Sequence, residues 1–242
     1  MRKKISTMML LFVFGLTLGC ADDSTGQESS KKETKETGFG EPTEMAEVEA
    51  TYLVTFTSNW NETDHVSFPA NAHFSPVVAV SHDENYHMFR LGEISSEAFE
   101  PLAELGVTNG VEEQLQVALA NDFADVPVVT ESLYPQRDGD TLEFRLTVTK
   151  QKPLITLATM IAPSPDWFVG LDSLNTLEEG TFITSQTVDL YALNAGTEEG
   201  DTAGNFSINN ASTDPFEPIA SFDNVPGLDI PFASVTIAKI EN

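Results

Sequence analysis

Asp166, Asn194 and Glu198 are the residues of this chain best placed for chemistry, because each carries a side-chain oxygen where an apolar run gives way to turn residues. Asp166 lies in Pro163-Ser164-Pro165-Asp166-Trp167-Phe168-Val169-Gly170-Leu171-Asp172-Ser173-Leu174, read as a loop. Asn194 and Glu198 lie in a second loop, Asn194-Ala195-Gly196-Thr197-Glu198-Glu199-Gly200. Hard cations such as Ca2+ take oxygens from carboxylates, amides, carbonyls and water in flexible geometry. Two such bends at one end of a β-structure can therefore share one calcium ion, with Asp172, Glu199 and Asp201 as further carboxylates close in sequence. Two prolines restrict the approach to Asp166, and the indole of Trp167 gives the bend an apolar anchor.

Other chemistries find less support. The four histidines, His65, His73, His82 and His87, form no His-Glu-x-x-His pattern of the kind that seats zinc on a helix. His73 and His82 are expected to be hydrogen-bonded structural residues. There is no Gly-x-Ser-x-Gly elbow and no glycine-rich phosphate loop, so no serine stands out as a nucleophile. Trp60 and Trp167 are expected in the core; exposed on a flat face, they would instead offer a platform for sugars. Asn61-Glu62-Thr63 matches a glycosylation sequon.

The elements that must position the oxygens are mostly strands. Thr51 to Thr57 alternates aromatic and β-branched residues with a period of two. Val77 to Val80 and Val126 to Val129 read as short strands, Met88 to Gly92 as another. Leu142, Phe144, Leu146 and Val148 alternate with polar residues as a half-exposed strand. Leu154 to Ile161 is nearly all apolar and therefore central; it leads to Asp166, as Thr187 to Tyr191 leads to Asn194 and Glu198. Ala233 to Ile240 closes the domain. Two short helices interrupt the series: one opened by Ser95 or Ser96 and stopped by Gly106, the other from Val111 to Leu119 with Val111, Leu115, Ala118 and Leu119 on one face. The fold class is all-β, an antiparallel β-sandwich with two short helices in connecting loops.

Three segments organise the chain. Residues 1–20 read as an export leader, with Arg2-Lys3-Lys4 before an apolar run too short for a membrane span. It ends in Leu16-Thr17-Leu18-Gly19-Cys20, which resembles the lipobox of bacterial lipoproteins, with Cys20 as the lipidated residue. Acyl chains then anchor the protein without a transmembrane helix. Residues 21–46 are polar and charged, a tether with too little apolar surface to fold. Residues 47–242 form the folded domain. Cys20 is the only cysteine, so no disulfide forms within the chain. The formal net charge is -26, and three of the positive charges lie in the leader. Such acidity disfavours nucleic acid as a partner and suits a solvated surface or a bound cation.

The words Pro163 to Gly170, Leu171-Asp172-Ser173-Leu174, Asp189-Leu190-Tyr191 and Asn194-Ala195-Gly196-Thr197 resemble the spondin domain of the F-spondin and mindin family. Upstream, Val54-Thr55-Phe56-Thr57 with Asn59-Trp60, Asn71-Ala72-His73, Ser81-His82, Asn85-Tyr86, and Ser96-Glu97 leading to Ala103-Glu104-Leu105-Gly106 continue the resemblance, which runs from about Tyr52 to Ile240. It implies a sandwich similar to calcium-dependent lipid-binding sandwiches, and a calcium site whose side-chain ligands fall at Asp166, Asn194 and Glu198. Asn194 and Glu198 stand where the family usually has aspartates, and the cysteines of the animal domains are missing around Leu174-Asn175-Thr176. The animal relatives are secreted matrix proteins concerned with cell adhesion. The expected function is thus a lipid-anchored, non-catalytic, calcium-binding interaction or adhesion module of the cell envelope, on the bacterial outer membrane or cell surface. Its partner is an unidentified protein or glycan at the cell surface. The alternatives are a lipoprotein that binds glycan or envelope polymer, and a metal-dependent hydrolase with a base poised on ion-bound water.

Overall fold

The computed structural model describes residues 47–65, 67–136, 139–200, 204, 206–207 and 210–240. The leader, the tether, Cys20 and Asp201 lie outside these residues. In chain order the elements are β1 (Glu49–Ser58), β2 (His73–Phe74), β3 (Val78–His82), α1 (Glu100–Leu105), α2 (Asn109–Ala120), β4 (Val128–Val129), β5 (Thr141–Thr149) and β6 (Leu154–Ala162). They continue with β7 (Trp167–Asn175), β8 (Leu177–Glu178), β9 (Thr181–Phe182), β10 (Ser185–Tyr191), β11 (Leu193–Asn194), β12 (Ala220–Ser221) and β13 (Pro231–Ile240).

Two antiparallel sheets carry the domain. One runs β10-β13-β1-β5 and the other β12-β11-β7-β6-β3-β4, with β2 also paired to β6. β1 shows how sequence dictates this arrangement: Ala50, Tyr52, Val54 and Phe56 alternate inward and are buried, whereas the residues between them are half-buried. Between the sheets they meet Ile155, Leu157 and Ile161 of β6, Trp167, Val169 and Leu171 of β7, and Ala233, Val235 and Ile237 of β13. The Tyr52 hydroxyl satisfies its polarity by donating to the Ile183 carbonyl at 2.7 Å.

The second sheet is covered on its other face too. Val78 and Val80 of β3, Ala158 of β6 and Phe168 of β7 pack there against Leu102 and Ala103 of α1, Val111, Leu115 and Ala118 of α2, and Phe89 and Phe99. A strand buried on both faces favours apolar residues at nearly every position, which is why β6 reads as a nearly continuous apolar run, broken only by the hydrogen-bonded Thr156 and Thr159. The helices form a third layer as well as connecting strands. α1 begins after the Ser96 hydroxyl accepts the Phe99 amide at 3.2 Å, and it ends at Gly106, whose φ of 65 suits a left-handed cap. Among the described residues no helix is long and apolar enough to cross a membrane.

Two sequence expectations need correction. Met88 to Gly92 is not a strand but a turn-containing segment, with Met88 and Phe89 buried in the outer core. Trp167 to Leu174 is not loop: it lies in β7, and only Pro163 to Asp166 forms the bend. Alternation explains this, since Trp167, Val169 and Leu171 face one core while Phe168 faces the other.

Both expected structural histidines are engaged. His73 Nδ1 lies 2.8 Å from the Asn71 carbonyl, and its ring stacks on Tyr134. His82 is fully buried, with Nδ1 2.7 Å from the Asp83 carbonyl and Nε2 2.7 Å from Thr156 Oγ1. A carbonyl only accepts, so Nδ1 carries the proton, and Nε2 accepts the Thr156 hydroxyl. Thr156 Oγ1 in turn accepts the Ser173 amide at 2.9 Å. That chain suits a neutral ring, and burial holds the His82 pKa below 6.5.

Two outcomes follow from this packing. A Cβ at Gly170 would come within 2.5 Å of Phe89 Cζ and 3.0 Å of the Leu157 carbonyl, so Gly170→Ala should destabilise the domain by about 1–3 kcal/mol in denaturant unfolding. The folded-state pKa of His82 is depressed, so the unfolded chain binds the proton first as pH falls; its contribution is complete above about 6.5 and is lost on acidification toward the folded pKa. The pH slope of stability between about 7 and 5 should therefore be shallower in His82→Gln than in wild type.

Candidate metal centre

Asp166 is the last residue before β7 and is entirely buried. Local bonding fixes its position: the Ser164 hydroxyl accepts the Trp167 amide at 3.0 Å, closing the bend one residue before the strand begins. The Asp166 carbonyl accepts the Ala195 amide at 3.2 Å. β11 lies beside β7 with Leu193 opposite Phe168 and Asn194 opposite Trp167. This pairing delivers the turn after Asn194 directly to the Asp166 side chain. Oδ2 accepts the Thr197 amide at 2.8 Å and the Glu198 amide at 3.1 Å, with the Thr197 hydroxyl 3.4 Å away. The turn itself depends on Gly196, whose φ of 76 places it in the left-handed region and whose α-carbon has the Glu217 backbone packed against it.

The other oxygen, Asp166 Oδ1, is buried without a hydrogen-bond partner, and so are Glu198 Oε2 and Glu104 Oε1. Glu104 comes from α1 and has the Thr197 side chain as a hydrogen-bonding neighbour. The residues whose charges act on these three carboxylates include one another and Glu100, one turn before Glu104 on α1. Burial raises the Asp166 pKa although backbone amides of Glu198 and Thr197 stabilise the carboxylate. Burial likewise raises Glu104, followed by the nearby charges of Glu100 and Asp166. Glu198 is pushed up to about 7, first by burial and then by Glu104 and Asp166. Unpaired carboxylate oxygens cost desolvation energy that a proton or a cation can relieve. Three acidic side chains close enough for their charges to act on one another, each with one buried unpartnered oxygen, offer hard donors that suit a calcium-type ion better than a soft metal.

The expected ligands separate on this geometry. Asp166 and Glu198 are neighbours. Asn194 is close in the chain, but its Oδ1 accepts the Gly196 amide at 2.6 Å and so shapes the turn. Glu199 is exposed and extends its backbone toward residues 210–211. Asp172 is far along β7, where Oδ1 accepts the Ser173 hydroxyl at 2.6 Å and Oδ2 lies 4.0 Å from Arg90; with side chains advancing roughly 3.3 Å per residue along a strand, it does not reach the Asp166 group. Glu104, which sequence reasoning left out of the site, does reach it. Its one signal in the sequence is the Ala103-Glu104-Leu105-Gly106 word, which marks a helix end and gives no hint of what the carboxylate faces. Among the described residues no three His, Cys, Asp or Glu side chains already stand where a single metal would touch all three.

The two tryptophans lie in the core. Trp60 and Trp167 are both fully buried, their indole N–H groups donating to the Ser67 and Gly200 carbonyls at 3.0 Å each. No sugar platform can be built on either ring.

Comparison with known proteins places this arrangement in a family. The Spondin_N family model matches residues 50–229, which include Glu104, Asp166 and Glu198. Rat spondin-2 is 31% identical over 174 residues, covering 70% of this chain and 52% of the relative. Human spondin-2 is 29% identical over 184 residues, covering 74% and 54%. Rat spondin-1 is 32% identical over 188 residues, covering 72% of this chain and 22% of the relative. The chain therefore spans about half the length of the spondin-2 proteins and about a fifth of spondin-1. With the sandwich, the bend at Asp166 and this match in agreement, the chain belongs to the Spondin_N family.

Proposed function

We propose that this protein is a lipid-anchored interaction or adhesion module of the cell envelope, non-catalytic, whose spondin-type domain binds calcium at Asp166. The observation that carries the calcium reading is the set of buried, unpartnered oxygens on Asp166, Glu198 and Glu104. Asp166 and Glu198 would hold the ion, with backbone carbonyls and water completing the shell that calcium prefers. When bound, the ion supplies positive charge in a place where the chain has gathered only negative charge. Asp166 stays fixed by its bonds to Thr197 and Glu198, so the site is formed by backbone rather than by a mobile side chain. The adhesion reading rests on family membership, and the anchor reading on Leu16-Thr17-Leu18-Gly19-Cys20. A protein or glycan at the cell surface is the partner class that suits both.

Calcium should raise the melting temperature of the purified protein, and chelator should return it to the starting value. Asp166→Asn keeps an oxygen to accept the two amides but loses the charge, and its melting temperature should not respond to calcium. Asp172→Asn should respond like wild type, because that carboxylate is engaged elsewhere. An unresponsive wild type, or an Asp166→Asn variant that responds in full, would end the calcium reading. The anchor is tested separately. Wild type should sediment with membranes and incorporate labelled fatty acid, whereas Cys20→Ser should lose the label; continued labelling would refute lipidation at Cys20.

A further inference from the structure

The group around Asp166 contains one carboxylate that neither of its two bends supplies. Glu104 comes from the outer helical layer, near the end of α1, and its Oε1 is buried without a hydrogen-bond partner. The rest of α1 gives the reason to look closely. The helix is only six residues long, its N-cap Phe99 makes no side-chain capping bond, and Glu100 and Glu104 lie one turn apart on the same side. Like charges four residues apart weaken a helix. The apolar side holds α1 down through Leu102 and Ala103, and Gly106 is pressed against Ser75. What packing alone does not explain is a half-buried carboxylate near the end of this helix with one oxygen buried and unpartnered.

We propose that Glu104 is a third side-chain ligand of the same cation, so that the ion joins α1 of the outer layer to the β6–β7 bend and the turn after β11. The inference rests on the calcium reading above and adds a residue to it. Three observations support it. The Thr197 hydroxyl is 3.4 Å from Asp166 Oδ2, and the Thr197 side chain is also a hydrogen-bonding neighbour of Glu104. Each of Asp166, Glu198 and Glu104 has one oxygen left over and buried. Asp166 is itself completely buried with Oδ1 unpartnered, and Glu104 and Glu198 are half-buried, so the group is not a patch of surface acids.

The test is calcium binding by calorimetry, with terbium luminescence as a second probe, on wild type, Glu104→Gln, Glu100→Gln and Asp166→Asn. Glu104→Gln should weaken calcium by about tenfold or more, as loss of a group that holds or orients a metal does, while Glu100→Gln stays within about threefold. Amide hydrogen exchange gives a readout that binding alone does not: calcium should slow exchange across α1 in wild type and Glu100→Gln but not in Glu104→Gln. In chelator, Glu104→Gln should melt no lower than wild type, because it removes one of the repelling charges. Wild-type affinity in Glu104→Gln, or equal slowing of α1, would overturn the proposal while leaving the calcium reading intact if Asp166→Asn no longer binds. Failure of wild type itself to bind would overturn both.

Discussion

A carboxylate held out of water at the end of a strand is the constraint on which this domain turns. Asp166 gains two backbone amides on one oxygen, and still burial raises its pKa. The amides come from a turn that β11 brings alongside β7, so the sheet pairing and the carboxylate stabilise one another. Without the acid, the Thr197 and Glu198 amides would be left facing an interior with no acceptor. Without the turn, the acid would be a bare buried charge. Each half makes the other tolerable, and the remaining oxygen is what the pair leaves exposed to an incoming charge.

The platform for that pair is a sheet with two covered faces. Because β6 and β7 are enclosed by the first sheet on one side and by α1, α2, Phe89 and Phe99 on the other, their backbones have little room to shift. Trp167 and Phe168 are consecutive, fully buried, and point into opposite cores. Asp166 therefore comes directly before a dipeptide anchored in both cores. Gly170 extends the same logic: only a residue without a side chain lets Phe89 approach β7 as closely as it does. A site assembled on such a strand has its geometry set by packing, and what remains adjustable is confined to Glu198 and Glu104.

Most of the scaffold could be read from the chain, because alternation survives in β1 and β5 and nearly continuous apolarity in β6. β7 was harder. Proline, glycine, aspartate and serine in one short stretch have the composition of a loop, and the strand is recovered only by noticing that Trp167, Val169 and Leu171 keep step while Phe168 serves a second core. The same error misplaced Asp172: once β7 is a strand, six positions of separation carry it well away from Asp166. Asp166 and Glu198 were legible because each sits at a strand end with turn residues around it. Glu104 was not, because helix pattern reports which face is apolar and not which distant loop that helix will meet. Its role in the site depends on how α1 lies across the second sheet, a tertiary fact with no local signature.

The absence of cysteine from the chain after Cys20 gives the acidic corner a physical sense. A disulfide would join two segments through a bond indifferent to the ionic surroundings. Carboxylates on three separate elements join nothing by themselves; they repel, and their contribution changes sign when a cation arrives. A junction of this kind is loose in an ion-poor medium and firm in an ion-rich one. With the proposed cation, its strength would follow the concentration of free ion. Under the proposed calcium reading, order at this rim would depend on the medium, whereas the doubly covered sheet beneath is held by apolar packing, which needs no ion.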